Sequence, residues 1–120
     1  MTAAKRFNGS PIVDAETVKT LTEMLGGDIT DVYQEFIAAA PQELAQLKQA
    51  ANDENFSKVA ELAHILKGSG GNLGADSFSK LCHSVEQSAK EGSFANSDEY
   101  LAQLSQALQM TIEEFNELIK

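Results

Sequence analysis

Residues 63–74 read Ala63-His64-Ile65-Leu66-Lys67-Gly68-Ser69-Gly70-Gly71-Asn72-Leu73-Gly74. Val59, Leu62, Ala63, Leu66 and Leu73 recur at helical spacing, so the segment reads as a helix with one apolar stripe. At ~100° per residue, His64 falls on the opposite side from that stripe, and Gly68 and Gly71 share its side. A helix patterned this way buries its leucines and displays its histidine with nothing bulky beside the ring.

The glycines carry a cost. Each one inside a helix is worse than alanine by about 1 kcal/mol, a sizeable share of a small domain's stability. Gly70 falls on the apolar stripe, where it suits close helix packing. Gly68 and Gly71 lie off the stripe, and clearance beside His64 is the benefit expected of them. The plainer alternative is that Gly68 opens a loop and His64 is an ordinary surface histidine.

Working outward, the pattern stays helical. Asp14 can cap a short helix carrying Val18, Leu21 and Leu25, closed by Gly26-Gly27. A longer helix is expected from about Asp28, with Ile29, Val32, Tyr33, Phe36, Ile37, Ala40, Leu44 and Leu47 as its stripe. The stripe continues across Pro41, which predicts one kinked helix rather than two. Asn52-Asp53-Glu54-Asn55 forms the turn before the histidine helix. A fourth helix carries Phe78, Leu81, Cys82, Val85 and Ala89 and stops at Lys90-Glu91-Gly92-Ser93. Asn96 or Ser97 caps the last helix, striped by Leu101, Leu104, Leu108, Ile112, Phe115 and Ile119. No strand-like alternation is evident, and residues 1–11 read as a flexible arm. The expected architecture is all-α: an up-and-down four-helix bundle with a short extra N-terminal helix. Residues 1–120 are expected to form a single domain, and Met1 with its short arm gives the expectation of a free-standing protein.

His64-Ile65-Leu66-Lys67-Gly68-Ser69, followed by Leu73-Gly74, resembles the signature of the histidine-containing phosphotransfer (HPt) domain family: His, any residue, Leu-Lys-Gly-Ser or Ala, then an apolar residue and Gly. The resemblance implies a four-helix bundle whose exposed histidine carries a phosphoryl group on one ring nitrogen. It implies a relay of phosphate between receiver-domain aspartates in a multistep two-component phosphorelay. By this analogy His64 is phosphorylated, Lys67 is the cationic neighbour and Gly68 lies beside the ring. The family often has a glutamine about where Glu86 falls, bonded to the other ring nitrogen. Here Glu86 stands there, with Gln87 next to it. A carboxylate would hold the proton on one nitrogen and free the other, but would also repel a phosphoryl group. Glu86 can alternatively pair with Lys90 at i+4.

The chemistry suits a carrier. A neutral imidazole can attack an acyl phosphate, and the phosphoramidate it forms is itself a donor. Lys67, three residues on, can neutralise phosphate oxygens or simply snorkel beside the stripe. The partners implied are receiver domains of a hybrid sensor histidine kinase and of a response regulator. No cofactor is expected, and magnesium would belong to the receiver. Docking needs apolar contacts around His64. The short first helix offers Leu21, Met24 and Leu25, with Ile65 and Gly71 near the histidine. Leu21 and Leu25 can equally be core.

Other classes fit poorly. A formal net charge of −9, with only Lys5-Arg6 adjacent among the basic residues, argues against nucleic acid or anionic membranes as partners. No apolar run spans a bilayer and no signal-peptide core opens the chain. A single cysteine, Cys82, excludes an intrachain disulfide. These absences favour the cytoplasm, and a monomer is expected. There is no ATP-binding or kinase motif, so no independent enzyme is expected, and no metal motif. The alternatives are a helical adaptor that binds a receiver without transferring phosphate, and a metal-binding bundle using His64 and His83.

Overall fold

The computed structural model describes residues 5–92, 94 and 97–120. Two short strands, β1 (Arg6–Phe7) and β2 (Ser10–Pro11), precede five α-helices: α1 (Ala15–Leu25), α2 (Ile29–Asn52), α3 (Phe56–Asn72), α4 (Asp76–Lys90) and α5 (Ser97–Leu118). One 3-10 turn, Gly26–Asp28, joins α1 to α2. Helices α2 to α5 pack as an up-and-down bundle in which α3 lies between α2 and α4, and α5 closes the ring against α4 and α2.

The segment expected to be a loose arm is partly built. Arg6 pairs with Pro11 and Phe7 with Ser10 in an antiparallel hairpin. Its turn is Asn8-Gly9, with φ of 53° and 81°. That is the dipeptide whose left-handed freedom suits a two-residue hairpin. The Ser77 hydroxyl of α4 lies 2.7 Å from the carbonyl oxygens of both Ser10 and Pro11, and Ile12 is fully buried. Residues 1–4 lie outside the described residues, as do Ser93 and Asn96, on which the expected stop of α4 and the cap of α5 partly fell.

Asp14 occupies the N-cap of α1, but its carboxylate accepts from the Thr17 hydroxyl (2.6 Å) rather than from a backbone N–H. Helix α2 runs unbroken through Pro41. Asn55 caps α3 by accepting from the Lys58 N–H. Helix α3 continues through Gly68, Gly70 and Gly71, so none of them opens a loop.

The core explains one of those glycines. Tyr33, Phe36, Phe78 and Phe115 cluster, with Tyr33 and Phe115 centroids 4.5 Å apart and Phe36 and Phe115 5.5 Å apart. The Tyr33 hydroxyl donates to the Leu73 carbonyl at 3.1 Å, tying α2 to the end of α3. A Cβ on Gly70 would stand 3.2 Å from the Phe78 ring and 3.7 Å from Phe36. Gly70 therefore lets α3 sit down on the aromatic cluster. The stripe of α5 is as patterned, with Ala107 and Thr111 buried in addition. The Thr111 hydroxyl is satisfied by the Ala107 carbonyl at 2.7 Å.

These packings predict opposite signs for two neighbouring glycines. Gly70→Val overpacks the α3–α4 contact and should lower stability by about 1–3 kcal/mol. Gly68→Ala meets open space and should raise it by up to about 1 kcal/mol. Urea midpoints measure both, and equal shifts would remove the distinction.

Candidate functional site

Helix α3 presents His64 as its pattern requires. Leu62, Ala63 and Leu66 are buried beneath it, while the His64 side chain is 66% exposed. A Cβ on Gly68 would meet nothing within 4 Å, so the space one turn beyond the ring is open. Gly71 has a neighbour that the sequence did not announce. A Cβ there would stand 3.1 Å from the Ser79 Oγ of α4, and that hydroxyl donates to the Lys67 carbonyl at 3.0 Å. The clearance at Gly71 therefore serves the α3–α4 contact, beside whatever surface it offers outward.

Beneath the ring lies Glu86. Its side chain is only 3% exposed, on the face of α4 turned to α3, yet three groups meet it. Lys67 Nζ is 2.7 Å from Oε1, while His64 Nδ1 at 3.0 Å and Lys90 Nζ at 3.1 Å share Oε2. Burial alone would push the carboxyl's pKa up. The bond from Lys67, helped by those from Lys90 and His64, overcomes this and draws it down to about 2. Glu86 is thus ionised at neutral pH and can only accept. His64 Nδ1 must then carry the proton, which leaves the lone pair on Nε2, the other ring nitrogen. The orienting contact and the i+4 pair with Lys90 exist together, and Gln87 is exposed. The expected repulsion of a phosphoryl group is offset locally: one carboxylate and two ammonium groups leave the cluster with a net positive charge.

An apolar groove runs from His64 toward the start of α3, lined by Phe56, Ala60, Ile65 and Ala89, with Glu61 and Lys90 also on its walls. The sequence reading missed it. Ala60 and Ser57, four and seven residues before His64, were the available signal, since both fall on the histidine's side of the helix.

The other expected residues are more scattered. Met24 is 72% exposed and Ile65 is also exposed. Leu21 packs against the core and Leu25 is partly exposed. Helix α1 meets the bundle at the α3–α4 turn, where the Asp14 N–H donates to the Gly74 carbonyl at 2.7 Å. Gly74, at φ of 90°, has Thr17 against it. His83 is exposed and takes no part in the Glu86 cluster. Among the described residues no group of three or more His, Cys, Asp or Glu side chains is placed to hold a metal ion. Burial pushes the Cys82 thiol up, so it stays protonated. Among the described residues no helix is long and apolar enough to cross a membrane.

The model of the Hpt domain family matches residues 31–117. The chain belongs to that family. Its fold is also that of histidine-containing phosphotransfer protein B (HptB) from Pseudomonas aeruginosa PAO1, with a TM-score of 0.88 at 20% identity over 92% of this chain and 96% of that one. No curated protein matches the chain in sequence. Hpt domains are phosphoryl carriers of two-component signalling that work with receiver domains. The hairpin and α1, with Leu21, Met24 and Leu25, precede the matched span.

The carboxylate cluster makes stability sensitive to acid. The Glu86 carboxyl titrates near 2 in the folded chain against an ordinary 4.5. A lowered folded pKa means that the unfolded chain binds the proton first as pH falls. The cluster's contribution is therefore present above 4.5 and lost as pH falls from there toward 2. Urea midpoints should drop over that range, and Glu86→Gln should flatten this part of the profile.

Proposed function

We propose that this chain relays a phosphoryl group between receiver-domain aspartates in a multistep phosphorelay, through phospho-His64. The observation that carries the proposal is the ionised, buried Glu86 under an exposed ring. It fixes the tautomer in which Nε2 faces solvent with its lone pair. In the first step Nε2 attacks the phosphorus of a receiver's aspartyl phosphate. An N–P bond forms as the O–P bond breaks, and the aspartate carboxylate departs. The second step reverses this toward another receiver. Nδ1 stays protonated throughout, against Glu86. Lys67 keeps that carboxylate charged, and Gly68 leaves room for the receiver's backbone.

The donor is the receiver of a hybrid sensor kinase and the acceptor that of a response regulator. Magnesium is supplied by the receiver's own acidic pocket. The chain acts as a single domain, a monomer in the cytoplasm. Receiver contacts extend from the groove at Ile65 over Gly68 and Gly71 to the exposed side of α1. An adaptor that binds without transferring phosphate would have no use for a ring held with a free nucleophilic nitrogen.

Incubation with a radiolabelled phosphoreceiver tests this. Label should appear on the wild-type chain with the acid lability and alkali stability of a phosphohistidine. His64→Gln should abolish it with helical circular dichroism intact. Loss of label in His83→Gln instead would mean that the nucleophile is the other histidine. Met24→Asp should weaken receiver binding by about 1–2 kcal/mol while leaving the melting temperature unchanged. Unaltered affinity in a titration would take α1 out of the interface.

A further inference from the structure

Two groups meet Glu86 Oε2: it accepts a hydrogen bond from His64 Nδ1 at 3.0 Å and forms an ion pair with Lys90 Nζ at 3.1 Å. Lys67 makes the shorter bond, 2.7 Å to Oε1, and is the more enclosed of the two lysines, 28% exposed against 56%. Lys67 thus supplies the buried counter-charge. Lys90 adds a smaller share from the solvent side. Most i,i+4 pairs of this kind on a surface contribute little. This one differs because its carboxylate is buried and because it shares an oxygen with the reactive ring.

We infer that Lys90 is a positioning residue for His64: by pairing its charge with Glu86 Oε2, the oxygen that holds Nδ1, it weakens the carboxylate's hold on the Nδ1 proton and so sets the pH range in which phospho-His64 is an effective donor. This rests on the proposed transfer reaction. In the donor step the Nε2–P bond breaks, an O–P bond forms to the acceptor carboxylate, and the bonding pair returns to Nε2. With Nδ1 protonated the ring departs as neutral imidazole. Without that proton it would have to depart as an imidazolate anion, a far poorer leaving group. A carboxylate under Nδ1 favours the protonated ring, and each cation bound to that carboxylate moderates the effect.

The charged groups around the pair are few. From α3 come His64, Lys67 and, along the groove, Glu61. From α4 come Glu86 and Lys90, with the neutral Cys82 thiol one turn before Glu86. Among the described residues α2 and α5 place no ion-pair partner on Glu86. Of the two lysines on the carboxylate, Lys90 is the more exposed one.

The test is a 15N NMR titration of the His64 ring in the full, unphosphorylated chain. Lys90→Met should raise the His64 midpoint by roughly half a pH unit, and Lys90→Arg should return it to the wild-type position. In a Glu86→Gln background the Lys90→Met shift should largely vanish. If Glu86→Gln does not fold, the ring's neutral tautomer ratio replaces it: action through Glu86 moves Lys90→Met further toward Nδ1–H. No shift in Lys90→Met, an equal shift in the Glu86→Gln background, or an unchanged tautomer ratio would overturn the inference. In transfer assays from phospho-His64, Lys90→Met should move the alkaline limb of the pH profile upward by the same interval. Failure of the wild-type chain to take up label would overturn the transfer reaction instead, and the titration of the bare ring would still report on Lys90.

Discussion

A single buried carboxylate organises this molecule's working surface. Glu86 is charged and almost wholly removed from water, which is unfavourable unless cations or donors meet its oxygens. Lys67, His64 and Lys90 meet them. The three donors come from two helices, so the cluster also fixes the rotation of α3 against α4. The bond that orients the histidine is therefore one of those that keep Glu86 ionised. Ring geometry, proton position and local helix packing cannot be varied separately here.

The run of glycines in α3 makes sense only when each is taken with its own neighbours. Gly70 admits the Phe78 ring, Gly71 admits the Ser79 hydroxyl, and Gly68 faces open space. Two of them thus bring α4 close enough for Glu86 to reach under His64. The third leaves the ring approachable. The unfavourable helix propensity of all three is offset in different ways: by core packing at Gly70, by interhelix contact at Gly71, and at Gly68 by nothing among the described residues.

Much of this was legible in the sequence, for reasons that differ by element. Helices α2 to α5 have stripes long enough to be unambiguous, and the stripe of α3 placed His64 on the outside correctly. The hairpin was missed although Asn8-Gly9 announces it, because its strands are two residues long and too short to alternate. The contact of Gly71 with Ser79 was not legible because angular position on one helix says which side a residue faces, not what stands there. Ser79 comes from the next helix. The burial of Glu86 was the least legible feature. Its helix pattern reads as flanking, and only the convergence of α3 on α4 turns a flanking carboxylate into an enclosed one. The groove at Phe56 and Ala60 is likewise a property of two helices and the chain beyond α4.

The same convergence resolves a difficulty raised by net charge. At −9, the chain as a whole repels an acidic receiver pocket and its phosphoryl group. Many of its carboxylates, including Asp98, Glu99, Glu113, Glu114 and Glu117, lie on α5, which packs against α2 and α4 and is across the bundle from α3. Packed helices stand about 8–10 Å apart, so a helix across the bundle lies beyond the Debye length of about 8 Å at physiological salt. At short range the cluster beneath the ring presents two ammonium groups to one carboxylate, with Glu61 farther along the groove wall. Attraction to the site is thus local. A carrier that must release each partner after transfer gains from this arrangement. The favourable field extends about as far as the cluster, and the groove beside it offers a modest apolar surface at Ile65, Ala60 and Phe56.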